Sequence, residues 1–185
     1  MNAKLKLLSL VLTLSAITAF AGDGNNDPKD FHHSLLSQNV QPDYSYFRAN
    51  EWQVDAFGAY AVAGSGVINS GGGGGAGVNY FFSRYIGLGL EGSGFDGGST
   101  VDTVSSATLN LIARYPIESL HIAPYAFIGA GGNFMTNDEQ ATGDLGVGVE
   151  WRFTRNWGIF TDARYVVADD TNNYGLARLG VRFAY

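Results

Sequence analysis

Apolar and polar residues alternate most regularly between residues 143 and 165. From Leu145 onward every second residue is apolar, whereas the residues between them are small or charged, and the alternation resumes after a short turn at 154–156. Successive side chains of a strand point to opposite faces, so this period of two predicts two β-strands joined as a hairpin. One face is apolar and ends in aromatic rings, while the other carries charges and glycines. That combination is typical of a barrel with lipid outside and polar residues inside.

The same alternation predicts eight strands in total, many of them near the about 9–11 residues that a tilted membrane-spanning strand needs. The predicted strands cover residues 52–62, 75–82, 86–95, 103–115, 121–131, 143–153, 157–165 and 174–185. Short connections alternate with longer ones; the short ones are 83–85, 116–120 and 154–156, and the longer ones are 63–74, 96–102, 132–142 and 167–173. We therefore predict an all-β fold, an eight-stranded antiparallel up-and-down transmembrane β-barrel over residues 51–185, with its short turns in the periplasm. Pro124 lies inside the fifth strand and lacks a ladder donor, so a bulge or an unpaired position is expected there.

The N-terminus has the pattern of a secretory signal peptide over residues 1–21. A short basic start is followed by an apolar run at 7–17 and an Ala-Phe-Ala cleavage site. A transmembrane helix is the alternative, but the apolar run is shorter than the ~20 residues that a bilayer requires. Residues 22–50 lack strand periodicity and are interpreted as a periplasmic segment. It is predicted to contain a short helix at 28–39 and to rest against the lower mouth of the barrel.

Composition narrows the functional classes. The chain of 185 residues carries a formal charge of −6 and no cysteine, so disulfides and cysteine-based metal sites are excluded. The acidic balance makes nucleic acid an unfavourable partner. His32 and His33 lack a third ligand at a suitable spacing, so neither a metal nor another cofactor is predicted.

The inward positions of the predicted strands carry five acidic residues and five arginines. They are Asp55, Glu91, Arg114, Asp144, Glu150, Arg152, Asp162, Arg164, Arg178 and Arg182. An eight-stranded barrel is just wide enough to be filled by side chains, and an unpaired buried ion is costly, so these residues are predicted to form a charge network that plugs the lumen. If Val166 faces Tyr174, Asp162 lies opposite Arg178. A narrow ion path and catalytic use of the carboxylates are the alternatives.

Large aromatic residues collect at the short-turn end of the predicted strands. This aromatic girdle consists of Trp52, Phe82, Tyr85, Tyr115, Trp151, Phe153, Trp157, Phe183 and Tyr185. Tyr60, Tyr165 and Tyr174 are predicted to mark the opposite interface. Aromatic rings of this kind belong at the level of the lipid headgroups.

Several segments resemble the eight-stranded outer-membrane proteins grouped as OmpA-like transmembrane domains and opacity-type surface proteins. The segments that carry the resemblance are the turn unit at 79–89, L-I-A-R-Y-P-I at 111–117, A-P-Y-A-F-I-G-A-G at 123–131 and L-G-V-R-F-A-Y at 179–185. The resemblance implies an outer-membrane location in a diderm bacterium. It also implies that Val181, Phe183 and Tyr185 form the signal read by the barrel-assembly machinery. The terminal Tyr185 departs from the usual phenylalanine, and no peptidoglycan-binding domain is expected.

Two glycine motifs have simpler interpretations than ligand binding. The G-x-G-x-x-G match at 87–92 lies within a strand pattern, whereas a dinucleotide site needs it between a strand and a helix. The five-glycine run at 71–75 lacks the following Lys and Ser/Thr of a phosphate loop and is interpreted as part of a flexible outer loop.

Together these patterns predict a non-enzymatic outer-membrane barrel with a structural or surface-interaction role. Its predicted partners are outer-membrane lipid, the assembly machinery and a surface ligand bound by the four longer connections. A narrow pore is the second interpretation. A lipid-modifying enzyme is the third, and it is disfavoured because His121 lies at a periplasmic turn with no evident nucleophile beside it. A soluble carrier with the apolar face inside is disfavoured by the aromatic belt.

Overall fold

The computed structural model describes residues 45–63, 70–96, 103–135, 138–168 and 173–185. These residues belong to one compact unit that spans Asp43–Tyr185. The unit contains eight strands and a short 3₁₀ helix, Glu118–Leu120. The strands are β1 Glu51–Ala63, β2 Gly71–Phe81, β3 Ile86–Asp96, β4 Thr103–Arg114, β5 Ile122–Met135, β6 Asp138–Arg152, β7 Trp157–Ala168 and β8 Tyr174–Ala184. Across the described ranges, no helix is long and apolar enough to cross a membrane.

Each strand pairs antiparallel with its neighbours in sequence, and β1 pairs with β8, so the sheet closes into a barrel. The seam is tied at its lower end by the backbone bonds Trp52 N–Tyr185 O at 3.1 Å and Tyr185 N–Trp52 O at 3.0 Å. Closure leaves no strand edge unpaired, which is the property that lets a sheet stand in lipid. The predicted fold class is therefore confirmed.

Side chains alternate between the two faces as the sequence pattern predicts. In β7 exposed and buried positions alternate through all 12 residues. The exposed set is apolar, with Leu90 at 63%, Val147 at 62% and Leu179 at 64% relative exposure. The buried set contains the charges, including Glu150 at 0% and Arg152 at 1%. The usual relation of a soluble protein is thus inverted, as in barrels whose outer surface faces lipid.

The strands extend further towards the long-connection end than predicted. The glycine run at 71–75 belongs to β2, so its interpretation as a flexible loop was wrong. A β-carbon on Gly73 would lie 2.5 Å from the Cα and Cβ of Phe95 on β3, so the glycine makes room for a close approach inside the barrel. The predicted connection at 132–142 is likewise mostly strand, because β5 and β6 continue to Met135 and Asp138 and leave only residues 136–137 between them.

Of the two accommodations expected at Pro124, the structure shows no bulge, and the register with β4 ends one residue short of it, at Tyr125. The register between β5 and β6 runs continuously through the Pro124–Val149 pair. Tyr115 N donates to the Pro124 carbonyl at 2.8 Å, so the nitrogen of Pro124, which carries no hydrogen, also faces Tyr115. Tyr115 lies just beyond Arg114, the last residue of β4. Proline is tolerated there because no ladder bond is lost within the strand.

The prediction that Tyr174 marks the outer aromatic interface is wrong. Its side chain is 2% exposed, and its ring packs against Phe95 inside the barrel with 5.3 Å between the ring centroids. The predicted signal peptide at 1–21, the helix at 28–39 and the two adjacent histidines lie outside the described residues.

Glycine on the inner face should be required, and glycine on the outer face should not. A β-carbon on the inward Gly146 would lie 2.6 Å from the Ala163 carbonyl oxygen and would also meet the Phe127 ring, whereas on the outward Gly143 its nearest contact would be the Gly129 carbonyl oxygen at 3.9 Å. We expect Gly146→Ala to lower the free energy of unfolding by about 1–3 kcal/mol, the usual cost of overpacking. Gly143→Ala is the matched control and should be near neutral. The measurement is urea unfolding in detergent micelles, and equal effects of both changes would contradict the assignment of faces.

Candidate functional site: the charged lumen

The lower third of the lumen is organised around Glu51. Its carboxylate accepts from Arg114 Nη1 at 3.0 Å, from Arg152 Nη1 and Nη2 at 2.8 and 2.7 Å, and from Gln53 Nε2 at 2.8 Å. Arg152 Nε also donates to Glu150 at 2.6 Å. All of these side chains are buried. Glu51 therefore has hydrogen-bond donors on both carboxylate oxygens, which a buried carboxylate requires.

The middle of the lumen is bridged by Arg182. Its guanidinium group donates to both oxygens of Asp55 at 2.7 and 2.6 Å and to Glu150 at 2.7 Å. Asn79 Nδ2 adds a hydrogen bond to Asp55 at 2.8 Å. The two-pronged Arg182–Asp55 contact is the strong, geometrically specific form of ion pair. It also ties β8 to β1 across the closing seam.

The outer third is built on Arg178. Its Nε and Nη2 donate to the two oxygens of Asp162 at 2.7 Å each, and its Nη1 donates to Glu91. Arg164 Nη2 donates to Glu91 at 3.1 Å and lies 3.7 Å from the Asp144 carboxylate. Asp162 stands directly opposite Arg178 in the β7–β8 register, and Val166 stands opposite Tyr174, which is the register the sequence predicted.

Aromatic rings fill the space between these ion pairs. The guanidinium carbons lie over ring faces, 3.8 Å from the centroid for Arg114 over Phe81 and 4.7 Å for Arg178 over Phe57. Similar contacts join Arg182 with Phe160 at 4.7 Å. The interior therefore alternates charges and rings, and the cation–π contacts stabilise the arginines where water is excluded.

The outer end of the lumen is closed by an apolar cluster, here called the outer cap. Its six members are buried to between 0% and 5% exposure. They are Ala61, Phe95, Val104, Val166, Tyr174 and Leu176. The outer cap lies between the ion pairs and the loop end of the barrel, and its Tyr174 hydroxyl donates to the buried Asn133 Oδ1 at 3.3 Å, so polar groups also lie at this level.

The lower end is closed by residues 45–50, here called the N-terminal plug. Phe47 is 0% exposed and lies under the guanidinium groups of Arg152 and Arg114, at 4.6 and 5.2 Å from its ring centroid. Arg114 Nη2 donates to the Arg48 carbonyl at 3.1 Å, and Arg152 donates to the Tyr46 carbonyl. The plug therefore covers the Glu51 cluster at the short-turn end of the barrel.

A second set of contacts holds the N-terminal plug from outside the strands. Glu118 of the 3₁₀ helix pairs with Arg84, accepts from Ser45 Oγ at 2.5 Å and accepts from Tyr46 N at 3.0 Å. Arg84 Nε donates to the Phe47 carbonyl at 3.1 Å. These contacts lower the pKa of Glu118. Partial burial alone would raise it, but the hydrogen bonds from Ser45 and Tyr46 and the charge of Arg84 outweigh burial.

The structure places all ten sequence-predicted lumen residues on the inner face. Nine ion pairs join them, seven among themselves and two with Glu51. Sequence reasoning missed Glu51 itself and Phe47. Glu51 shares the parity of Asp55 and could have been found by extending the first strand one residue earlier. Phe47 lies in a segment without periodicity, and no sequence signal marks it.

The girdle residues lie on the outer face, where they are exposed or, for Phe183, half-buried. Trp157 and Phe183 are neighbours, with ring centroids 4.9 Å apart, and Phe183 stacks on Tyr185 at 6.2 Å. Val181 is also exposed. The three residues of the predicted assembly signal thus line one outward row at the end of β8. Within the described part of the chain, no group of His, Cys, Asp and Glu residues suits a metal ion.

No protein-family model and no curated protein matches the chain. Several solved structures match it. The N-terminal β-barrel domain of Pseudomonas aeruginosa OprF is 20% identical, with a TM-score of 0.60 over 74% of this chain and 98% of that domain. Neisserial surface protein A is 17% identical, with a TM-score of 0.56 over 72% of this chain and 95% of that one. The Yersinia pestis attachment protein Ail is 17% identical, with a TM-score of 0.53 over 74% of this chain and 99% of that one. The shared feature is the fold of small outer-membrane barrels.

Asp162 and Arg178 should be energetically coupled. Changing either to alanine leaves the other buried without its main partner, which typically costs about 3–5 kcal/mol. The double change removes both charges of the pair and should cost less than the sum of the two single changes. The measurement is a double-mutant cycle by urea titration of refolded protein in lipid vesicles. A coupling energy near zero would contradict a closely packed, dry network and would favour hydrated walls.

The N-terminal plug should loosen in acid. Because the folded-state pKa of Glu118 is lowered, its contribution to stability is fully present above the unfolded pKa of about 4.3 and is lost as the pH falls through the folded value. We expect the hydrogen-exchange protection factor of the Tyr46 amide, which bonds to Glu118, to fall in that range. Glu118→Gln should show low protection at every pH. The Ile86 amide, which bonds to Ser83 Oγ at 3.0 Å, is the internal control. Constant Tyr46 protection from neutral pH to below about pH 4 would contradict the role of Glu118.

Proposed function

We propose that the protein is a non-enzymatic barrel of the outer membrane of a diderm bacterium, with a structural or surface-interaction role and a sealed lumen. The observation that carries this proposal is the inverted polarity of the barrel, whose exposed face is apolar and whose buried face holds the ion pairs. Water would solvate the charged face and not the apolar one, so the arrangement is stable only with lipid outside.

The aromatic girdle supports the same placement. Trp52, Trp151 and Trp157 are 45–47% exposed and lie at the short-turn end, where amphipathic rings meet the headgroup region. Tyr60 and Tyr165, 54% and 48% exposed, lie eight residues up their strands. At about 3.3 Å per residue and a tilt of ~40°, this spacing corresponds to ~20 Å along the barrel axis, close to the ~25 Å apolar band of outer-membrane barrels.

A sealed lumen is better supported than a pore. An ion would have to pass the N-terminal plug, then ion pairs with donor–acceptor distances near 2.7 Å, then the outer cap. Each of these barriers is made of buried side chains. The second candidate is a narrow ion path, which is supported only by the number of inward charges.

The outer end supplies the surface that a ligand would meet. The four connections predicted to bind one, 63–74, 96–102, 132–142 and 167–173, hold six acidic residues and no lysine or arginine. Asp96 and Glu139 are exposed there. Ail has been crystallised with the heparin analogue sucrose octasulfate, a polyanion. The acidic rim of this chain favours a neutral or cationic ligand instead.

Insertion into the membrane would use the outward row of β8, Val181, Phe183 and Tyr185, as the contact for the barrel-assembly machinery.

Cell fractionation with a single outward variant tests the placement in lipid. The wild-type protein should sediment with the outer membrane and migrate differently on a gel before and after boiling, because closed barrels resist unfolding in cold detergent. Val147→Arg places a charge on the exposed face and should lower folding stability in bilayers by about 2–4 kcal/mol near the midplane. Val147→Leu is the control and should behave as wild type. Recovery in the soluble periplasmic fraction without detergent, or full tolerance of Val147→Arg, would overturn the proposal.

A further inference from the structure

The outer third of the lumen carries one negative charge too many. Three carboxylates, Glu91, Asp144 and Asp162, share two guanidinium groups, Arg164 and Arg178. In the lower clusters the carboxylates Glu51, Asp55 and Glu150 meet three buried arginines, and Glu51 also contacts the partly exposed Arg48 at 3.5 Å, so no carboxylate there lacks a cation. The surplus falls on Asp144, because among the described residues its only ion pair is the long contact of 3.7 Å with Arg164.

Within the described ranges, Asp144 also accepts no hydrogen bond on either carboxylate oxygen, although its side chain is fully buried. A buried carboxylate without donors is costly, so something has to compensate it. The Asn110 side-chain oxygen and the Thr142 hydroxyl are also buried without a protein partner.

The Asn110 and Asp144 oxygens converge on one place, and Thr142 stands at the neighbouring inward level. In the register, Asn110 and Asp144 flank Gly129 on its two sides, and Thr142 flanks Gly131, the next inward position of β5. A β-carbon on Gly129 would lie 2.9 Å from Asp144 Oδ2 and would collide with Asn110 Oδ1. Both acceptors therefore point into the space that glycine leaves open.

We propose that this space is a binding site for one monovalent cation, such as Na⁺, held by Asp144, Asn110 Oδ1 and the Thr142 hydroxyl. All of the donors are oxygen, which suits a hard cation. One positive charge balances the surplus carboxylate, whereas a divalent ion would leave a net positive charge beside Arg164 in a dry interior. The site is a structural one within the network, and it depends only on the barrel fold.

Cation exchange at constant ionic strength tests the site. Urea midpoints of the refolded protein are compared in NaCl and in N-methylglucamine chloride, whose cation is too large to enter the barrel. The wild-type midpoint should be higher in Na⁺, and above the dissociation constant each tenfold rise in Na⁺ should raise the folded-to-unfolded ratio about tenfold. Asp144→Asn should abolish this dependence. Asp162→Asn, a buried aspartate of the same cluster with its own arginine, should lower the midpoint but keep the dependence.

Two results would overturn the proposal. If Asp144→Asn keeps the Na⁺ dependence, the effect belongs to another place. If the wild type is indifferent to the cation, either a proton on Asp144 or a reversed Asn110 amide compensates the carboxylate instead. Stabilisation by acid in the wild type but not in Asp144→Asn would identify the proton. A crystal of the wild-type protein grown with Tl⁺ gives a readout that needs no variant, since the site predicts an anomalous peak beside the Asp144 carboxylate.

Discussion

An eight-stranded barrel has no room for a column of water, so every charge in its interior must find a partner among the other interior side chains. Most of the structure depends on this constraint. The arginines reach to carboxylates on non-adjacent strands, as Arg182 does with Glu150 and Arg152 does with Glu51. Each such pair links strands that are distant in sequence. The network therefore stabilises the closed barrel as well as filling it.

The same constraint explains where the apolar residues and the plug lie. Residues that cannot join the network face outward, where lipid solvates them, or collect in the outer cap. Charges near the lower mouth would meet water, and Phe47 covers them with its ring and its backbone carbonyl. The barrel is thus closed at both ends by side chains that have no role in the ion pairs themselves.

Much of this fold could be predicted because a period of two decides which face each residue takes. The register of the last hairpin followed from the same period, and so did the pairing of Asp162 with Arg178. The prediction at Gly73 was wrong because glycine has a low strand propensity and is more common in loops. In the folded barrel this strand position must lack a side chain, because Phe95 packs against it. Phe47 could not be predicted, because its place depends on contacts with Arg84 and Arg152, which lie far along the chain. The excess carboxylate of Asp144 likewise becomes visible only once the partners of every arginine are known.

Planar-bilayer conductance tests the central claim that the lumen is sealed by its own side chains. Refolded wild-type protein is inserted into a bilayer, and heat-modifiable migration of the same sample verifies that it is folded. A porin in the same lipid shows that open channels would be detected. A filled lumen predicts no stepwise increase in current across a range of voltages and salt concentrations. Stable, discrete conductance steps from the folded wild-type protein would contradict the account and would make the charged lumen an ion path.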